Sequence, residues 1–263
     1  MSNRIENSLE LLKEKNEKAF ITYITAGLPD METTARIIKA QEKTDIVELG
    51  IPFSDPIADG PVIQQASYEA IQAGATLEKT FELMTKLRSE SVDKPVVFML
   101  YYNTVCRCGI DSFVSKCRKA GVDGLIIPDL PYEEQEPVKK ALAGDDTTIL
   151  IQLVSPVSKD RIPTILEGAR GFVYCVSSMG VTGQAADFHK EVKSYLSYVK
   201  SVSKIPVMMG FGIRSAKDVE PMKDIIDGAI VGSHFIQLLR DSGFDAECAA
   251  KYTSEFKEQL NNM

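Results

Sequence analysis

A rhythm constrains this chain more than any other feature: short apolar, β-branched runs alternate with amphipathic helical stretches, eight times over. The first run, 19–25, ends in Ala26-Gly27-Leu28-Pro29-Asp30, and a helical stretch follows it to Lys43. The second starts at Asp45, and its helix is expected at 77–90, where Leu77, Phe81, Met84 and Leu87 share one face. Further strands are expected at 95–102, 121–129, 147–154, 171–177, 205–209 and 227–231, with helices at 110–120, 132–143, 159–166, 189–202, 215–222, 233–239 and 244–260. Eight units in 263 residues match a (β/α)8 TIM barrel in size and rhythm better than an open doubly wound sheet. No linker interrupts them, so one domain spanning 1–263 is expected. Ile5, Leu9, Leu11 and Leu12 mark an extra N-terminal helix that covers one end of the barrel.

Composition narrows the function classes. A net charge of −7 leaves no basic footprint for nucleic acid or an anionic membrane. The N-terminus is polar and no apolar run nears the roughly 18 residues that span a bilayer, so nothing directs export and a cytoplasmic setting is expected. The five cysteines are odd in number, and only His189 and His234 stand beside them as further soft ligands. Cys106 and Cys108 lack a second pair, so reduced thiols and no metal are expected.

Residues 45–61, DIVELGIPFSDPIADGP, pass from buried strand to a Pro/Gly/Asp-rich loop with a carboxylate on each side of the change. In a strand Ile46 and Glu48 share one face while Val47 and Leu49 share the other, which leaves Glu48 last on its face at the carboxyl end. An acid buried there has its pKa raised toward neutrality, as suits a group that both gives and takes a proton; Asp59, on the loop, should be wetter. The competing readings are a solvated strand-end acid and a turn-forming Asp. In the expected barrel, loops after strands form the active face, and Glu48, Tyr101, Asn103, Asp129 and Tyr174 all fall on it.

Two later stretches pair glycines with helix starts: Met209-Gly210-Phe211-Gly212-Ile213-Arg214-Ser215 and Gly232-Ser233-His234-Phe235. Free N–H groups and a close backbone make such starts anion sites, and phosphate at the seventh and eighth loops is usual in this fold. Ser215 with Asp218 also reads as a capping box. The small, polar run 177–187 after the sixth strand has the makings of a lid, with Gly180 and Gly183 as hinges and Thr182 placed to hydrogen-bond a carboxylate; the alternative is a plain connection.

The segments ELGIPFSDPIADGP at 48–61, PDLP at 128–131, GVTG at 180–183, GFGI at 210–213 and VGS at 231–233 together resemble the tryptophan synthase alpha chain family. The resemblance covers nearly the whole chain, and its long first motif is highly specific. It implies retro-aldol cleavage of indole-3-glycerol phosphate to indole and glyceraldehyde 3-phosphate. Glu48 matches the general acid/base, Asp59 the carboxylate at the indole N–H, and Tyr174 the tyrosine near the general acid. Gly183, Gly212, Ile213, Gly232 and Ser233 match the phosphate cradle, and Tyr23, Ile126 and Phe211 the indole pocket. Asp55, Pro56 and Asn103 match the face toward a beta chain in an alpha2beta2 heterotetramer, and pyridoxal phosphate is expected in that partner, with no cofactor here. Two places depart from the family: 184–187 lacks a basic residue, and His234 stands where a small residue is common. A stand-alone lyase releasing indole and a non-catalytic partner-binding barrel are the competing readings.

Overall fold

The computed structural model describes residues 3–176, 185–210 and 212–263, with backbone alone for 185–190. Nine parallel strand segments are built from the expected runs: β1 (Ala19–Thr25), β2 (Ile46–Gly50), β3 (Val96–Met99), β4 (Gly124–Ile126), β5 (Ile149–Leu150), β6 (Gln152–Val154), β7 (Val173–Cys175), β8 (Val207–Met209) and β9 (Gly228–Val231). β5 and β6 are halves of one stave, interrupted at Ile151, whose N–H still donates to the Leu125 carbonyl at 2.9 Å. The sheet order is β5-β4-β3-β2-β1-β9-β8-β7-β6; because β5 pairs with β4 and β6 with β7, the broken stave nearly closes the ring. The result is the expected (β/α)8 barrel of eight staves.

Strand alternation divides the core in two. Phe20, Val47, Leu49, Phe98, Val173, Val207 and Val231 face outward and pack under the helices. Ile21, Ile46, Val97, Ile126, Ile151, Phe172, Met208 and Ile230 fill the lumen. Ile46 and Val47 therefore fall on opposite faces, which aims Glu48 up the barrel interior. The amino end of the lumen is closed by α1 (Arg4–Glu14), whose Ile5, Leu9 and Leu12 belong to the same inner cluster. Leu11, expected among them, is instead 54% exposed, because it falls off the stripe that Ile5, Leu9 and Leu12 define. The Asn3 side chain accepts the Ile5 N–H at 2.9 Å and donates to the Asp123 and Thr147 carbonyls, fastening α1 across two staves.

The helices α2 (Met31–Ala40), α4 (Leu77–Ser89), α6 (Ile110–Ala120), α11 (Ser233–Asp241) and α12 (Ala246–Asn261) follow the expected pattern. Two further helices come between the expected ones. In α3 (Pro61–Gln72) the buried face is the small Ala66, Ser67 and Ala70, too weak an apolar contrast to mark a helix. The third strand, expected to reach Tyr102, ends at Met99, and α5 (Tyr102–Cys108) starts where the Asp129 carboxylate accepts the Tyr102 N–H at 2.8 Å. α7 (Glu136–Leu142) follows a 3-10 turn, α8 (Ile162–Ile165) is one turn long, and α10 (Ala216–Val219) is equally short. α9 (Ala185–Val202) begins four residues before His189.

Candidate active site

At the carboxyl end of the barrel lies a cavity of about 800 Å³. Glu48, the last inward side chain of β2 before Gly50, sits in its wall only 1% exposed, and neither carboxylate oxygen has a hydrogen-bond partner among the described residues. Burial, followed by the charge of Asp59, pushes its carboxyl up to about 8. The nearby Tyr174 hydroxyl opposes that rise, though its geometry falls short of a hydrogen bond. A buried carboxyl group without a partner is costly unless it keeps its proton, so Glu48 at neutral pH is mostly the acid.

Tyr23 lies beside Glu48 in register across β1 and β2, and Tyr174 rises from β7. Both phenols are held un-ionised, first by burial and then by the neighbouring carboxylates. Two glycines make room for these rings. A Cβ on Gly50 would overlap the Tyr23 phenol, and one on Gly210 would overlap Tyr174.

Asp59 projects from the loop between β2 and α3. Its Oδ2 accepts the Tyr101 hydroxyl at 2.9 Å, and that same hydroxyl accepts the Ala58 N–H at 2.9 Å. Burial raises the Asp59 carboxyl above its ordinary value and the Tyr101 bond opposes the rise. The loop is tied down by the Gln64 amide, which donates to the Asp59 carbonyl at 2.8 Å, and by Phe53 stacked on Tyr101 with centroids 5.0 Å apart.

Gly212, Ile213, Gly232 and Ser233 line the same cavity. Gly212 has φ +64°, a left-handed conformation that glycine adopts without strain, and space is open around it. Ile213 is buried in the outer core cluster while also bordering the cavity. The capping box is present: Asp218 accepts the Arg214 and Ser215 N–H groups at 2.9 and 2.8 Å, so those donors are already engaged by the chain itself. α11 is different, because Gly232 at its N-cap has no side chain with which to cap the first turn.

The family model for the tryptophan synthase alpha chain matches residues 9–263. A tryptophan synthase alpha chain from Lachnospira eligens is 63% identical over 262 residues, covering 98% of this chain and 99% of its own; one from Alkaliphilus metalliredigens is 45% identical over 262 residues, covering 99% and 97%. The chain belongs to the tryptophan synthase alpha chain family. It is thus an enzyme of tryptophan biosynthesis. Among solved structures, tryptophan synthase subunit alpha from Legionella pneumophila superposes with a TM-score of 0.90 at 32% identity, over 100% of both chains. Mycobacterium tuberculosis tryptophan synthase gives 0.86 at 30% identity over 98% and 100% of the two chains, in an aminoacrylate-bound form.

For this alpha-family chain the cavity gathers Tyr23, Glu48, Asp59, Ile126, Tyr174, Gly212, Ile213, Gly232 and Ser233 into one wall-to-wall site. Asp55 and Asn103 are exposed at the rim and Pro56 is half-buried beside them in the loop sequence. Phe211 and residues 177–184 of the expected lid, Gly180, Thr182 and Gly183 among them, lie outside the described residues, while 185–187, expected in that lid, form the first turn of α9. His234 also borders the cavity, its ring 5.7 Å from that of Tyr252. The sequence placed Tyr101 on the active face and gave it no task; the missing signal is that its partner, Asp59, lies 42 residues away. Gln135 and Gln152, unremarked in the sequence, exchange amide bonds of 3.1 and 3.0 Å in the cavity wall. Among the described residues no group of three or more His, Cys, Asp or Glu is arranged to hold a metal, and no helix is long and apolar enough to cross a membrane.

Proposed function

We propose that the chain is a carbon-carbon lyase that cleaves indole-3-glycerol phosphate to indole and glyceraldehyde 3-phosphate. The observation that carries this reading is Glu48: a buried, unpartnered carboxyl pushed up to about 8, sharing with a second carboxylate a cavity that glycine loops also line. The phosphate seats against the backbone of Gly212, Ile213, Gly232 and Ser233, with Gly183 completing the cradle. The indole lies toward Tyr23, Ile126 and Phe211.

Glu48, protonated at neutral pH, delivers its proton to indole C3, which breaks aromaticity and leaves positive charge on the ring nitrogen. Ionised Asp59, held by Tyr101, stabilises that charge at the N–H. Glu48, now a carboxylate, takes the proton of the side-chain hydroxyl; the C–C bond to the ring breaks as the aldehyde forms, and the bonding electrons return to the indole. Tyr174 stands beside Glu48 in the cavity wall, and Thr182 is the candidate to hydrogen-bond a catalytic carboxylate. Residues 1–263 act as one domain in this scheme, and the reaction asks for no cofactor in this chain.

Asp55, Pro56 and Asn103 form the rim against which a beta chain docks in a cytoplasmic alpha2beta2 assembly, pyridoxal phosphate residing in that partner. The likeness to Mycobacterium tuberculosis tryptophan synthase supports such an assembly. The test is indole release from indole-3-glycerol phosphate, with and without a beta chain. Cleavage by the mixture is expected; no indole under either condition overturns the reading. Full turnover by the isolated chain, unchanged in the mixture, would favour a stand-alone lyase.

A further inference from the structure

Tyr101 is 4% exposed, and its hydroxyl has two partners at once: it donates to Asp59 Oδ2 and accepts the Ala58 N–H, both at 2.9 Å. The donor and acceptor roles fix the direction of the phenolic hydrogen, because accepting the amide leaves the proton free only for the carboxylate. On its other side the ring stacks on Phe53, at an interplanar angle of 21°, at the opposite end of the same loop. One side chain thus grips loop 53–59 at both ends. The Tyr101 backbone is itself fixed: it is the N-cap residue of α5, and the next N–H, that of Tyr102, is held at 2.8 Å by Asp129 from the loop after β4. Asp129 was singled out in the sequence as a strand-end acid, and the chemistry above leaves it without a task.

We propose that Tyr101 is the positioning residue for Asp59, and that Asp129, by anchoring the start of α5, sets the place of Tyr101 and through it the place of the carboxylate. The inference rests on the lyase reading for its kinetic consequence but not for its structural one. The ionisable groups facing Asp59 are Tyr101 from the start of α5, Glu48 from β2, Tyr23 from β1 and Tyr174 from β7. Of these the Tyr101 hydroxyl alone makes a hydrogen bond to the Asp59 carboxylate among the described residues, and it favours the ionised form.

The test is a double-mutant cycle in the full chain mixed with a beta chain, joined to a carbon-13 NMR titration of the Asp59 carboxyl. Tyr101→Phe keeps the ring and its stack on Phe53. It is expected to lower kcat about tenfold with a much smaller change in KM, and to move the acid limb of the rate profile up by about one pH unit, the size of one hydrogen bond to a charged group. In an Asp59→Asn background the same substitution is expected to cost nothing further, because residues acting through one another are not additive. An equal additional loss in that background, or an unmoved acid limb, overturns the proposal. The titration separates the two readings: a parent chain that makes no indole sinks the lyase, while Tyr101 is still judged by whether Tyr101→Phe raises the Asp59 pKa. Asp129→Ala, remote from the carboxylate, is expected to raise the same pKa by a smaller amount and serves if Tyr101→Phe does not fold. An Asp59 pKa unchanged in every folded variant overturns the proposal.

Discussion

A carboxyl group that is useful because it is buried is also a burden, and Glu48 carries both consequences. Its folded pKa of about 8 lies above the unfolded value near 4.3, so between those values the native state holds a proton that the unfolded chain has released. Stability from this group is therefore full below about pH 4 and is lost as pH rises toward 8. Glu48→Gln keeps the shape and removes the titration. It is expected to raise the thermal midpoint at pH 9 relative to the parent by more than at pH 5, the difference amounting to at most a few kcal/mol. In the same protein turnover should fall by roughly 10²-fold or more, the lower range for one acid/base group. Asp59→Asn should lose comparable turnover. A Glu48→Gln enzyme with parental turnover and pH profile would remove Glu48 from the proton transfers, and melting curves that differ equally at both pH values would say that the residue is not buried as a neutral acid.

At the scale of elements, strands were more legible than helices because burial on both faces leaves an unmistakable apolar run, whereas a helix that buries alanine and serine, as α3 does, leaves almost none. Period 2 put Glu48 on one face with Ile46 and opposite Val47 and Leu49, and the packing of Ile46 in the lumen makes that face the inner one. What period could not supply was Tyr101 gripping Asp59, since contacts between loops after different strands depend on barrel closure, and closure is invisible in local spacing. The phosphate loops sit between these cases: their glycines are plain in sequence, but the capping box at Ser215 and Asp218 shows that one of the two helix starts is already engaged by its own chain. Anion affinity should therefore depend most on Gly212 and on the uncapped start of α11. Gly212→Asp forces a side chain into φ +64° and sets a negative charge in the open space there, so an indole-alkyl phosphate should bind at least about a hundredfold more weakly by calorimetry. Parental affinity in that variant moves the phosphate elsewhere.

For the whole molecule the question is what covers the mouth of the barrel. Ile57 is 83% exposed on the loop that carries Asp59, and Val157 is 83% exposed on the turn after β6, so two large apolar side chains stand in water on the face where the cavity opens. Isolated exposed residues need no explanation, but here one of them belongs to a loop braced from within by Phe53, Gln64 and Tyr101, which leaves its outer side free for contact. Indole is small and uncharged, and a partner seated on that rim would both receive it and hold loop 53–59 in the arrangement that presents Asp59. The proposed activation is therefore through order in the loop, with no group donated to the chemistry. Adding a beta chain is expected to raise cleavage by at least about tenfold, roughly 1.4 kcal/mol of barrier. Ile57→Asp should leave the isolated chain's slow turnover intact while abolishing most of that increase and weakening the complex seen by sedimentation. If Ile57→Asp is activated as strongly as the parent, the loop's outer face is not the docking surface; if it loses basal turnover as well, Ile57 supports Asp59 from within the chain and the activation must reach the site by another route.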